Sequence, residues 1–219
     1  MTWTVPNILT VVRLIAAPAV MLVFVLLPRP LADWVAFVLF VGASVTDWFD
    51  GYLARAWAQQ TKLGTMLDPI ADKAMVMIAL AVVVGLMGLS FFVAIPVALI
   101  LFREVFVSGL REFLGDTAGT LKVTQMAKWK TTVQMVAVAV LLAHGAFAAS
   151  VAVHTTGMDA AMVQSILEGT EADLFGLRWR AGLATGAFWI GIALLWLAAV
   201  LTFLTGLDYF RKAMPYLKD

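Results

Sequence analysis

The sequence predicts an all-α polytopic membrane protein with six transmembrane helices, and two observations carry that prediction. Of its 219 residues 63% are hydrophobic and only 13% charged, against roughly 25% charged in a typical soluble domain. No Asp, Glu, Lys or Arg occurs in 74–102, 131–158 or 181–207, and each run exceeds the roughly 20 apolar residues that a helix needs to cross a bilayer. The expected spans are 7–28, 31–57, 62–88, 91–114, 123–153 and 179–210, in a single membrane domain over 1–219.

Each break has a local cause. Pro28 and Pro30 stop the first helix, because proline lacks an N–H and clashes with the preceding turn. The second break, 58–61, carries Gln59 and Gln60, and the third is marked by Gly85 and Gly88. The fourth, 114–121, is rich in Gly, Asp and Thr, and 154–178 is expected to be the one long loop. The N-terminus lacks the basic region and cleavage site of a secretory signal. Its first apolar segment is therefore expected to remain as a membrane helix, preceded by a short interfacial segment, 1–6.

Basic residues set the orientation. Arg55, Lys62, Arg111, Lys122, Lys128, Lys130, Arg211, Lys212 and Lys218 fall on one side, and the long loop on the other carries Asp159, Glu168, Glu171 and Asp173. Both termini should then face the cytoplasm, in a cell inner membrane, and an even number of spans satisfies this. Trp3, Trp34, Trp57, Trp129 and Trp179 lie near helix ends, where indoles anchor at the interface, whereas Trp189 and Trp196 are expected to pack between helices. A net charge of +1 gives no electrostatic case for nucleic acid, and the absence of cysteine excludes disulfides and thiolate metal sites.

The chemistry is concentrated between 47 and 72. Ionisable groups within a membrane are costly and are usually functional. Asp47 and Asp50 are three residues apart and Asp68 and Asp72 four apart, so each pair shares a helix face. If 31–57 and 62–88 form an antiparallel hairpin, Asp50 lies level with Asp68 and Asp47 with Asp72. The cluster then stands about 15 Å above the turn. Clustered carboxylates need neutralising, and all-oxygen ligands favour hard ions such as Mg²⁺, Mn²⁺ or Ca²⁺. Such ions beside a membrane suit a diphosphate substrate. Gly51, Gly64 and Ala54 admit two readings: room for a nucleotide to approach the backbone, or close helix packing through small residues. Arg55 is read as a phosphate ligand more than as a cytoplasmic end marker.

At these residues the chain resembles the CDP-alcohol phosphotransferases. Their motif, D-x2-D-G-x2-A-R-x8-G-x3-D-x3-D, is met at every fixed position from Asp47 to Asp72. The resemblance implies a homodimeric six-helix fold whose site opens to the inner leaflet, with a two-metal site for Mg²⁺ or Mn²⁺. It implies that Asp47, Asp50 and Asp68 are chiefly metal ligands. Asp72 becomes the general base that also touches metal, and Gly51, Ala54, Arg55 and Gly64 surround the CDP moiety. Within the family the chain is most similar to bacterial members that use CDP-diacylglycerol and glycerol 3-phosphate. That similarity runs through Val5–Arg13, Val45–Gly51, Leu67–Lys73, Arg103–Glu112 and Lys128–Thr132.

A small dianionic acceptor needs cations not already consumed by acids. Arg103, Arg111, Lys128 and Lys130 are the candidates, although the positive-inside rule alone would also place several of them there. Glu104 and Glu112 are read as partners that orient the arginines. Asn7, Thr10 and Arg13 share a face at three-residue spacing. Two readings of them stand level: lining the nucleotide end of the cavity, or bonding to neighbouring helices. Lys73 is expected to point away from the site, His144 and His154 to be packing or loop histidines, and Gly182 and Gly186 to pack within the chain. The alternatives are another acceptor, such as inositol phosphate or phosphatidylglycerol, and a cation or proton transporter, since intramembrane acids also serve ion paths.

Overall fold

The structure, a computed structural model, describes residues 4–56, 61–120 and 125–217, without the side chains at 6, 48–56, 116, 118, 120, 125, 127 and 128. Every regular element among the described residues is helical. The order is α1 (Val5–Leu26), α2 (Leu31–Ala56), α3 (Lys62–Met87), α4 (Phe91–Leu114), a 3₁₀ segment at Gly115–Thr120, α5 (Gln125–His154), α6 (Ala160–Glu168) and α7 (Leu177–Ala213). Among the described residues five stretches are long and apolar enough to cross a membrane: Asn7–Leu26, Lys62–Met87, Phe91–Leu114, Trp129–His154 and Leu177–Tyr216. In these, only 28–44% of the most apolar window is buried within the chain. Val25 is 82% exposed, Leu26 75% and Phe102 70%. Outward apolar surface on this scale needs lipid, not water, as its solvent. The protein is thus an all-α multi-pass membrane protein.

Local chemistry explains the helix ends. Thr4 caps α1, its hydroxyl accepting from the Asn7 N–H, and Thr61 caps α3 by accepting from the Gly64 N–H. At the α1–α2 turn Arg29 grips the Asp33 carboxylate with two donors, at 2.8 and 2.7 Å, and reaches the Gly145 carbonyl on α5 at 3.4 Å. Asp33 is 1% exposed, so this fork supplies the pairing that a buried carboxylate requires. The hydrogen bond to Asp33 in turn holds the Arg29 pKa above its ordinary value.

The core runs along the helix axes through residues such as Phe40, Leu80, Leu141 and Leu195. α7 packs along both α5 and α4, while α1 packs against both α2 and α3. α7 has 37 residues, about 55 Å of helix against a hydrocarbon core of about 30 Å, so it projects into water. Arg211 and Lys212 in its last turn suit the negative end of the helix dipole.

Three expectations are corrected. The 154–178 loop contains α6, capped by the Asp159 carboxylate at the Met162 N–H and ended by Gly169 in the left-handed region. Trp189 is 57% exposed and stands edge-on to Phe188 and Phe92 rather than buried between helices. A Cβ added at Gly182 or Gly186 would meet nothing within 4 Å, so neither glycine serves close packing within the chain. That need falls at Gly191 instead, where a Cβ would lie 2.5 Å from Leu141. The histidines behave as read: the His144 ring nitrogen lies 2.9 Å from the Ala184 carbonyl, and that of His154 2.7 Å from the Ser150 carbonyl. Trp3 and Trp57 lie outside the described residues.

Candidate active site

α1 lies against both acidic helices, and one of its faces organises them. Arg13, 2% exposed, donates from a single guanidinium nitrogen to Asp47 on α2 and to Asp72 on α3. One turn back, the Thr10 hydroxyl donates to Asp68 at 2.8 Å. A further turn back, Asn7 Oδ1 accepts from the Thr61 hydroxyl at 2.8 Å. These contacts realise the second reading of the Asn7, Thr10 and Arg13 face, bonding to neighbouring helices. Asp47 and Asp72 do stand level, since they share one nitrogen. The meeting of Asp47 and Asp72 that an α2–α3 hairpin predicts is present, with Arg13 of α1 as the bridge between the two carboxylates. The hydrophobic pattern sets the depth of each acid but says nothing of which helix stands beside which.

Gly64 has a defined structural use. A Cβ there would lie 2.9 Å from Asn7 Oδ1, so the bare backbone lets α1 and α3 close on each other. This is the packing role of a small residue. Asp50, Gly51, Ala54 and Arg55 belong to α2 by backbone, but their side chains lie outside the described residues, as does that of Lys128.

Among the described residues no group of three or more acids and histidines is assembled as a finished metal site. The donor chemistry nevertheless fits a hard cation. Carboxylates from two helices converge on one positive centre, the Arg13 nitrogen. The side chains of Asp47 and Asp72 are 41% and 51% exposed, so both remain open toward a ligand.

Asp72 also borders a cavity of about 520 Å³ with Lys73, Arg103, Glu104, Arg111 and Lys130. Lys130 donates to Glu104, and Arg103 donates to it at 3.3 Å. The Arg111 guanidinium lies 5.3 Å from the Tyr209 ring centroid, a cation–π distance. The stem of Arg103 crosses α7 at Gly206, where a Cβ would fall 2.8 Å from Arg103 Cγ. Four cations against Glu104 and the bordering Asp72 leave the cavity positive, which suits an anion. Lys73 is a correction: it lines this cavity and bonds Ser108 at 2.5 Å. Helical geometry turns the residue after Asp72 away from it, but the cavity wraps far enough around α3 to reach both.

Acids gathered at one level beside a cation-lined hollow are the arrangement expected for moving a phosphoryl-bearing group within a membrane, and the wider comparison agrees. The chain belongs to the CDP-alcohol phosphatidyltransferase family, whose model matches residues 3–207. Its relatives narrow the class. It is 55% identical over 219 residues, covering the whole chain and 99% of the relative, to the CDP-diacylglycerol–glycerol-3-phosphate 3-phosphatidyltransferase of Cereibacter sphaeroides. The enzyme of the same name from Shigella flexneri serotype 5b is 35% identical over the full length of both chains. That of Escherichia coli K12 is 42% identical over 144 residues, which is 65% of this chain and 78% of the relative.

Proposed function

We propose that the chain transfers the phosphatidyl group of CDP-diacylglycerol to glycerol 3-phosphate, giving phosphatidylglycerophosphate and CMP. The observation that carries this reading is the position of Asp72, which touches Arg13 in the acid cluster and borders the cation-lined cavity. One carboxylate thus stands between a diphosphate site and an anionic-acceptor site.

Asp47, Asp68 and Asp72, with Asp50, would hold Mg²⁺ or Mn²⁺. When bound, the ions neutralise the diphosphate and stabilise the charge that develops on the leaving CMP. Arg103, Arg111 and Lys130, joined by Lys73, hold the acceptor phosphate. Asp72 takes the proton of the primary hydroxyl. That oxygen forms a bond to the lipid-bearing phosphorus as the phosphorus–oxygen bond to CMP breaks. Arg13 keeps Asp72 aimed at this junction, and the acyl chains stay in the bilayer. In the same reading α2 forms a sixth span, the termini and site face the cytoplasm at an inner membrane, and the enzyme is a homodimer. The one-sided distribution of basic residues supports that orientation.

The test is incorporation of radiolabelled glycerol 3-phosphate into lipid by the purified enzyme, with CMP released in equal amount. Chelation of divalent ions is expected to abolish the reaction and added Mg²⁺ or Mn²⁺ to restore it. Full activity after chelation would remove the metals from the scheme, and ion flux without CMP release would replace the enzyme by a transporter. A second expectation concerns Gly206. Gly206→Ala forces the Arg103 stem aside, so KM for glycerol 3-phosphate should rise about tenfold with kcat much less affected, as for lost ground-state binding. Unchanged acceptor kinetics would take Arg103 out of the phosphate site.

A further inference from the structure

We infer that Gln134 is a specificity-determining residue, reading the hydroxyl next to the reacting one on a polyol monophosphate acceptor; this rests on the reading of the cavity just given. Gln134 lines that cavity on α5, one turn beyond Lys130 and on the same helix face. It is 3% exposed, and its Oε1 is buried without a hydrogen-bond partner. Buried carbonyl oxygens are nearly always satisfied, and leaving one bare is costly unless a ligand supplies the donor.

The rest of the lining says what that donor is. Lys73, Arg103, Arg111 and Lys130 only donate, and they answer the phosphate. Glu104 is held by Lys130 and Arg103, and Asp72 by Arg13. A phosphate dianion has no proton to give Gln134, whereas a hydroxyl has. With the phosphate on the cations and the primary hydroxyl at Asp72, glycerol 3-phosphate retains one hydroxyl, on its middle carbon. A site built to bond a hydroxyl rejects the analogue that lacks it, because its own polar group then stays unpaired.

The experiment compares sn-glycerol 3-phosphate with 3-hydroxypropyl phosphate, which lacks only the middle hydroxyl, as acceptors for the full-length enzyme. The wild type is expected to favour the former in kcat/KM by about 10- to 100-fold, the range for a lost buried hydrogen bond. Gln134→Leu and Gln134→Met remove the acceptor oxygen at similar volume. Both are expected to shrink the preference to within about threefold, through loss on glycerol 3-phosphate alone. Retained turnover of the analogue shows that the variants are folded. An undiminished preference in the variants, an equal loss on both acceptors, or a wild type that does not discriminate each overturns the assignment. A wild type that uses neither acceptor overturns the proposed function, and the assignment falls with it.

Discussion

Asp72→Asn enzyme is expected to retain about 10⁻² to 10⁻⁴ of wild-type kcat, the range for loss of a positioned general base. The substitution is nearly isosteric, and its amide oxygen can still accept from Arg13, so the helices should stay in register. What disappears is the capacity to take the proton of the attacking hydroxyl. Asp72 is the acid placed for that task because it alone among the described aspartates borders the cation-lined cavity while contacting Arg13. Asp68, one turn away, is held by the Thr10 hydroxyl, and Asp47 reaches the site from α2. CMP release at saturating substrates reads kcat, and thermal unfolding in detergent checks the fold. A variant with wild-type kcat and a raised KM for CDP-diacylglycerol would make Asp72 a binding residue only.

Much of this site is legible in the sequence, for reasons that are themselves physical. Helical periodicity places Asp47 and Asp72 at one depth, and the shared Arg13 nitrogen agrees with that. Fixed spacing from Asp47 to Asp72 carried the family resemblance, which the match over residues 3–207 bears out. Periodicity is blind to what a third helix inserts between two others, so it does not place Arg13 of α1 between Asp47 and Asp72. Adjacent helical residues diverge by about 100°, which argues against Lys73 beside Asp72, a rule that fails when a cavity wraps around the helix. Gln134 gave no signal at all. An uncharged amide in an apolar helix looks like a surface polar residue until its burial and its empty oxygen are seen. The nine residues of α6 are too few to show a period against the flanking Gly and Thr. Its cap at Asp159 and stop at Gly169 were the available clues.

The acid cluster and the cation-lined cavity are mechanically one unit. α3 carries Asp68 and Asp72 toward α1 and Lys73 toward α4, where Lys73 meets Ser108. Ser108 in turn donates to the Glu104 carbonyl, and the Glu104 carboxylate receives Lys130 from α5. A displacement of α3 is therefore felt by the acid cluster and the cation-lined cavity together, which suits the proposed reaction, in which two substrates must be aligned before either bond changes.

Arg13 tests that unity most directly. It is 2% exposed and holds acids from two helices at once. Arg13→Met keeps an unbranched stem but removes the guanidinium, leaving Asp47 and Asp72 facing each other without the charge that joins them. Removing one partner of a fully buried pair costs about 3–5 kcal/mol. The two aspartates are 41% and 51% exposed, so solvent screening reduces the expected loss to about 1–3 kcal/mol. Activity should fall further than stability, by about 100-fold or more, because a base released by even 1 Å loses its alignment. Arg13→Lys keeps the charge as a single point on a flexible stem. It should recover most of the stability while remaining about tenfold slow. If Asp47 and Asp72 also hold divalent ions, Mg²⁺ should raise the Tm of Arg13→Met more than that of the wild type, since the ion then replaces the positive charge lost between them. Equal Mg²⁺ responses in the two proteins would show that these acids answer to the guanidinium and not to a metal.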